Sequence, residues 1–75
     1  MRRERSFKAG LNGLARRKLT VSGYLFGSQP IVELRILDPE HKSDRHIDLS
    51  LPQARQTLRL LLDAIKAASD VARHD

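Results

Sequence analysis

Residues 50–73 alternate between apolar and polar positions at a helical period. Ser50 and Gln53 have the spacing of a capping box, and Pro52 falls in the first turn, where its missing N–H costs little. The apolar positions recur at four- and three-residue steps and are widened by two leucines: Ala54, Leu58, Leu61, Ile65, Ala68 and Ala72, with Leu51 and Leu62. This pattern predicts one long C-terminal helix.

Three further segments, residues 18–26, 31–37 and 45–51, alternate with a period of two, which is typical of strands. Their connections are short, so neighbouring strands are expected to run antiparallel. The sequence therefore predicts an α+β fold, a three-stranded antiparallel β-meander packed on one long C-terminal α-helix. We expect the helix to cover the sheet face that carries Leu19, Val21, Leu25, Val32, Leu34, Ile36, Ile47 and Leu49.

Residues 1–17 are expected to form a basic N-terminal arm that precedes a βββα domain, residues 18–75. Within the arm, Phe7, Leu11 and Leu14 have the spacing of a short helix. Asn12-Gly13 is instead a strong hairpin signal. We favour a helical turn or loop slightly over a hairpin.

The net charge of +5 is concentrated at the start of the chain. Glu4 is the one acid among residues 1–18, against seven basic side chains: Arg2, Arg3, Arg5, Lys8, Arg16, Arg17 and Lys18. Such a block is often simply a solvated tail. It also suits contact with the phosphates of DNA or RNA, or with an acidic surface on a larger protein.

The usual signatures of catalysis and cofactor binding are missing from the sequence. With no Cys there is no disulfide or thiolate site, and His41, His46 and His74 lack a metal-ligand spacing. Neither a nucleophile elbow nor a phosphate-cradling glycine loop is present. We expect no enzyme activity, no metal and no cofactor. No apolar run approaches the ~18 residues of a membrane span, which predicts a cytoplasmic protein.

The predicted helix has more apolar surface than one sheet face requires. A second line of apolar residues runs along it: Leu60, Ala64, Ala67 and Val71. Alanine is also a good helix former, so this line could reflect propensity alone. We interpret it as a protein interface and expect a homodimer. On the outward sheet face, Tyr24 and Phe26 offer a weaker alternative, a platform on which single-stranded bases could stack.

Two known architectures look similar in the order of their elements. A short helix, three strands and a helix resemble a double-stranded-RNA-binding domain, but the segment matching its Lys-rich motif, residues 51–55, holds one cation, Arg55. A basic tail with three strands and a helix looks like the arm-binding domain of some phage integrases. Here, however, Glu33 and Asp48 stand where cations would be expected. Neither family is assigned.

These observations favour a small non-enzymatic binding protein with a regulatory role, associated with nucleic acid through its basic arm. The alternative is a small inhibitor or adaptor of the kind that mobile elements encode. It would bind a larger protein through the line of Leu60, Ala64, Ala67 and Val71 or through the open sheet face.

Overall fold

The computed structural model describes residues 3–40 and 42–74, without the side chains of residues 3–6 and 74. Four strands precede one helix: β1 (Arg3–Asn12), β2 (Lys18–Phe26), β3 (Gln29–Asp38), β4 (Ser43–Leu49) and α1 (Leu51–His74). The strands form one antiparallel sheet in the order β1-β2-β3-β4. The α+β class, the meander and the long C-terminal helix are thus confirmed.

The sheet has four strands rather than the predicted three, because β1 is built from the predicted arm. It pairs with β2 from Arg3 opposite Phe26 to Asn12 opposite Lys18, with a register shift between Arg5 and Phe7. The helical turn or loop favoured for residues 6–15 is therefore wrong for most of that segment. The structure has a hairpin, but its connection spans residues 13–17 instead of a tight Asn12-Gly13 turn.

The β1–β2 connection contains one short 3-10 turn, Leu14–Arg16. Gly13 N donates to Arg17 O at 2.7 Å, and Arg17 N donates to Leu14 O at 3.3 Å. Ala15 (φ 58°) and Arg16 (φ 59°) have left-handed backbone conformations. The loop is therefore closed by its own hydrogen bonds and not by a standard two-residue turn.

Strand register assigns the side chains to two faces as the alternation predicts. Val21 lies opposite Leu34, which in turn lies opposite Ile47. We call this side the apolar sheet face and define it by Leu11, Leu19, Val21, Leu34, Ile36 and Ile47. The other side, with Thr20, Ser22 and Glu33 in register, is the polar sheet face.

Contrary to the expectation from the sequence, the helix does not extend over the whole apolar sheet face. It packs on β3 and β4 at its start, where Ala54 and Thr57 are partly covered. Beyond that start its apolar residues are 56–61% exposed, namely Leu58, Leu61, Leu62 and Ile65, which we call the helix stripe. On the sheet, Ile36 and Ile47 are 53% and 56% exposed. A 24-residue helix is about 36 Å long, so most of α1 extends past its contacts with the sheet.

Candidate nucleic-acid interface

The basic residues predicted to contact nucleic acid follow β1 and the connection after it. Arg3 and Arg5 lie in β1 at register positions opposite Phe26 and Tyr24, and Lys8 lies opposite Ser22. Arg2 falls outside the described residues. Because β1 is the first strand of the sheet order, this part of the predicted arm is one border of the sheet.

The remaining predicted cations lie around the β1–β2 connection. Arg16 and Lys18 are exposed, and both line a cleft of about 390 Å³. A third cation, Lys42, joins them from the β3–β4 connection. In an antiparallel meander these two connections lie at the same end of the sheet, which brings residues distant in sequence together.

Lys42 is the residue that the sequence analysis missed. It lies in a charged segment between two strands, where nothing in the local pattern distinguishes it from a solvated lysine. The information that places Lys42 beside the other cations comes from the topology of the sheet. Once β1 is recognised as a strand, the β1–β2 and β3–β4 connections must share one end of the sheet.

One carboxylate also lines the cleft, and it already has partners. Asp38 Oδ2 lies 3.4 Å from Nε of Arg17, and Asp38 Oδ1 accepts a hydrogen bond from Glu40 N at 3.2 Å. With Arg17 balancing Asp38, the charges of Arg16, Lys18 and Lys42 remain in excess. The cleft is therefore a positively charged end of the sheet, bordered by the polar side chains of Asn12 and Ser43.

The tip of the same connection carries an apolar side chain. Leu14 is 92% exposed, within two residues of Arg16. At this exposure, Leu14 gains almost none of the free energy that burial of a leucine side chain provides. Combined with the neighbouring cations, it gives this end of the sheet a mixed basic and apolar surface.

The side chains of the polar sheet face are less exposed than the sequence predicted for side chains that point away from the core. Thr20, Ser22 and Glu33 are buried, and the longer side chains of Lys8 and Arg35 line the same depression of about 230 Å³. Tyr24 is only 6% exposed. Stacking needs an open aromatic face, so Tyr24 and Phe26 do not form the two-ring platform considered from the sequence.

Acidic groups dominate the β3–β4 half of this face. Arg35 lies between Glu33 and Asp44, with N–O distances of 3.4 Å and 3.1 Å. Glu33, His46 and Asp48 offer one ligand atom each within 4.8 Å of one another. Such groups could approach a cation, but exposed carboxylates often cluster without one. The expectation of no metal stays a prediction, as does that of no enzyme activity.

The predicted protein interface, Leu60, Ala64, Ala67 and Val71, lies along α1 with all four side chains exposed. None of the described helices has the length and apolar character that crossing a membrane requires. Comparisons of the chain with protein-family models, curated proteins and solved structures return no match. The function of the protein is therefore inferred from the site alone.

Proposed function

We propose that this protein is a non-enzymatic, cytoplasmic nucleic-acid-binding protein whose contact surface is the basic end of the sheet. The observation that carries the proposal is the cleft where Arg16 and Lys18 meet Lys42. Cations from two connections surround one concave surface, and the nearest carboxylate is occupied by Arg17. Phosphate groups are the anions that such an arrangement suits.

The contact surface extends from this cleft along β1. Lys8 is exposed on that strand, and the backbone positions of Arg3 and Arg5 continue the line. A ten-residue strand spans about 33 Å, the length of roughly one turn of a DNA duplex. Phosphates along one strand of nucleic acid would thus face a row of cations and not a single site.

Salt dependence gives this proposal a quantitative form. Binding that neutralises Z phosphates weakens with a log–log slope of about −0.9Z on duplex DNA. Contacts by three cleft cations alone predict an affinity about 40-fold lower at 200 mM salt than at 50 mM. Contacts from β1 would steepen that slope.

The test measures binding of fluorescent duplex DNA, single-stranded DNA and RNA by anisotropy over this salt range. The informative variant combines Arg16→Glu, Lys18→Glu and Lys42→Glu. Its control combines Arg59→Glu, Lys66→Glu and Arg73→Glu on the polar side of α1, which changes the net charge equally. We expect the cleft variant to lose at least about tenfold more affinity than the control and to have the shallower salt slope.

Equal losses in the two variants would reduce binding to a general effect of net charge and would contradict a defined surface. Absence of binding to all three nucleic acids at 50 mM salt would reject the proposal outright. Deletion of residues 1–18 is a poor test, because it removes strand β1 together with the charge.

The inhibitor or adaptor hypothesis has its own support in the uncovered apolar surface of α1 and of the sheet. An adaptor of this kind would hold its partner in a complex that resists salt, since apolar contacts are not screened. Retention of a defined partner at 1 M salt, with no nucleic-acid binding, would favour this second function.

A further inference from the structure

The molecule is too open for a chain of its size. Its radius of gyration is 15.1 Å, whereas a compact domain of this length has about 11 Å. It exposes 6553 Å², against about 4,700 Å² for a compact monomer of the same mass. Among the described residues, the buried apolar side chains are Tyr24 and Leu49. The chain has therefore not completed its core by itself.

Two uncovered apolar surfaces account for this openness. On the apolar sheet face, one depression of about 290 Å³ is lined by Leu19, Leu34, Ile36 and Ile47, among others. A second of about 440 Å³ shares Leu19 and Ile36 with it and continues toward Leu11. Together they form one apolar trough across the sheet. The helix stripe is the other surface.

The chain cannot easily bring these two surfaces together within one molecule. Ser50 is the single residue between β4 and α1. Its backbone N–H donates to Oε1 of Gln53 at 3.0 Å, while the Gln53 N–H donates to Oγ of Ser50 at 3.4 Å. With one residue between β4 and α1, the backbone at Ser50 sets the direction in which the helix leaves the strand. Folding α1 back over its own trough would require a different backbone conformation at this connection.

We propose that the helix stripe of one chain fills the apolar sheet trough of a second copy, and that the second copy's helix does the same in return. A two-fold pair of this kind uses both surfaces on both chains and leaves neither exposed. The excess area of about 1,900 Å² per chain, or about 3,800 Å² for a pair, lies in the range that obligate homodimers bury in total.

Cysteine cross-linking tests this arrangement directly, because the chain contains no cysteine. One preparation carries Ile36→Cys in the trough, and others carry Leu58→Cys, Leu61→Cys or Ile65→Cys in the helix stripe. Each stripe variant is mixed with the trough variant and oxidised, and the mixed dimer is identified by mass. We expect at least one stripe position to cross-link to Ile36→Cys several-fold more than the control, Lys66→Cys.

Light scattering at about 50 μM should give a dimer mass for the unmodified chain. Ile65→Glu should raise the dimer dissociation constant by about 30-fold or more, since it places a charge in a central apolar contact. Lys66→Glu should change that constant by less than about threefold. Circular dichroism at high protein concentration shows whether each variant keeps its helix.

Three results would overturn the proposal. The first is a monomer at 50 μM. The second is equal cross-linking of Ile36→Cys with the stripe and with Lys66→Cys. The third is a chain carrying both Ile36→Cys and Ile65→Cys that closes its disulfide within a monomer, because the helix would then cover its own sheet.

Discussion

Ser50 joins the last strand to the helix and caps the helix at the same time. Its side chain and that of Gln53 satisfy each other's backbone N–H groups, and its carbonyl accepts a hydrogen bond from Ala54 N at 2.9 Å. One residue thus satisfies helix-terminal donors and forms the whole connection between β4 and α1. Because the connection between strand and helix is this short, it cannot rearrange to compensate for the loss of the cap.

Ser50→Ala should therefore lower the free energy of unfolding by about 1 kcal/mol, the typical loss for an N-cap serine. Ser69→Ala, at an exposed position in the C-terminal part of the same helix, is the matched control and should be neutral or slightly stabilising, because alanine has the higher helix propensity. Urea unfolding of both variants at one protein concentration measures the difference. Equal effects would mean that the cap contributes nothing.

Residues of this kind differ in how well the sequence predicts them. The capping box was predicted because it depends on two residue types three positions apart. The left-handed conformations of Ala15 and Arg16 were not, because neither is the glycine or asparagine that normally marks them. Their conformations are imposed by pairing of β1 with β2 on both sides of the loop, which is information held elsewhere in the chain.

Among the secondary-structure elements, β1 is the one that could be assigned as a strand only from its pairing with β2. Phe7, Ala9 and Leu11 alternate as in a strand, while Phe7, Leu11 and Leu14 have helical spacing. Local pattern could not decide between the two periods. Pairing with β2 decides it, since a strand that joins the side of a sheet satisfies a row of its backbone groups by hydrogen bonds. The bounds of β2, in contrast, follow from its unbroken alternation and match the prediction.

The space around two glycines shows how closely β1 and β2 pack against each other. A Cβ added at Gly10 would lie 3.1 Å from the backbone oxygen of Leu19, whereas one at Gly23 would meet only Phe7 Cβ at 3.9 Å. Gly23→Ala should raise the free energy of unfolding by up to about 1 kcal/mol through reduced freedom of the unfolded chain. Gly10→Ala should not gain this stability, because the added Cβ would crowd the backbone oxygen of Leu19.

Thermal unfolding of the two variants at equal concentration tests this comparison. The prediction is an ordering in which Gly23→Ala is more stable than Gly10→Ala. The reverse ordering would show that β1 is held less closely against β2 than the structure indicates.

For the whole molecule, the apolar pattern identified an apolar helix face and an apolar sheet face but not that both stay largely exposed within one chain. A helix stripe and a sheet trough are equally complementary within one chain or between two. Only the direction of α1 after Ser50 separates these cases, and a hydrophobic pattern does not encode that direction. The proposed contact surface shows the same limit, since the basic block was visible in sequence but Lys42 joined it only through topology.

If two chains complete each other's core, stability must depend on protein concentration. A 100-fold increase in concentration should raise the melting temperature by about 5–10 °C, because unfolding of a dimer also separates its chains. Leu60→Glu or Val71→Glu in the second line of α1 should lower the melting temperature if the two helices also contact each other. Lys66→Glu serves as the control.

Differential scanning calorimetry at about 5 and 500 μM makes the measurement. A melting temperature that does not change over this range would show that folding and association are separate. Unchanged values for Leu60→Glu and Val71→Glu, with concentration dependence kept, would restrict the interface to the helix stripe and the trough and would contradict the predicted contact between helices.

The sheet has two outer strands, β1 and β4, because the meander does not close on itself. Unpaired strand borders invite other chains to add strands, which is a route to aggregation and amyloid. In β1 the exposed Lys8 interrupts the apolar positions, and in β4 Asp44, Arg45 and Asp48 do the same. Lys8, which is proposed to meet phosphates, is therefore also expected to oppose the addition of strands from other chains. High salt, which weakens nucleic-acid binding, would remove part of that protection as well.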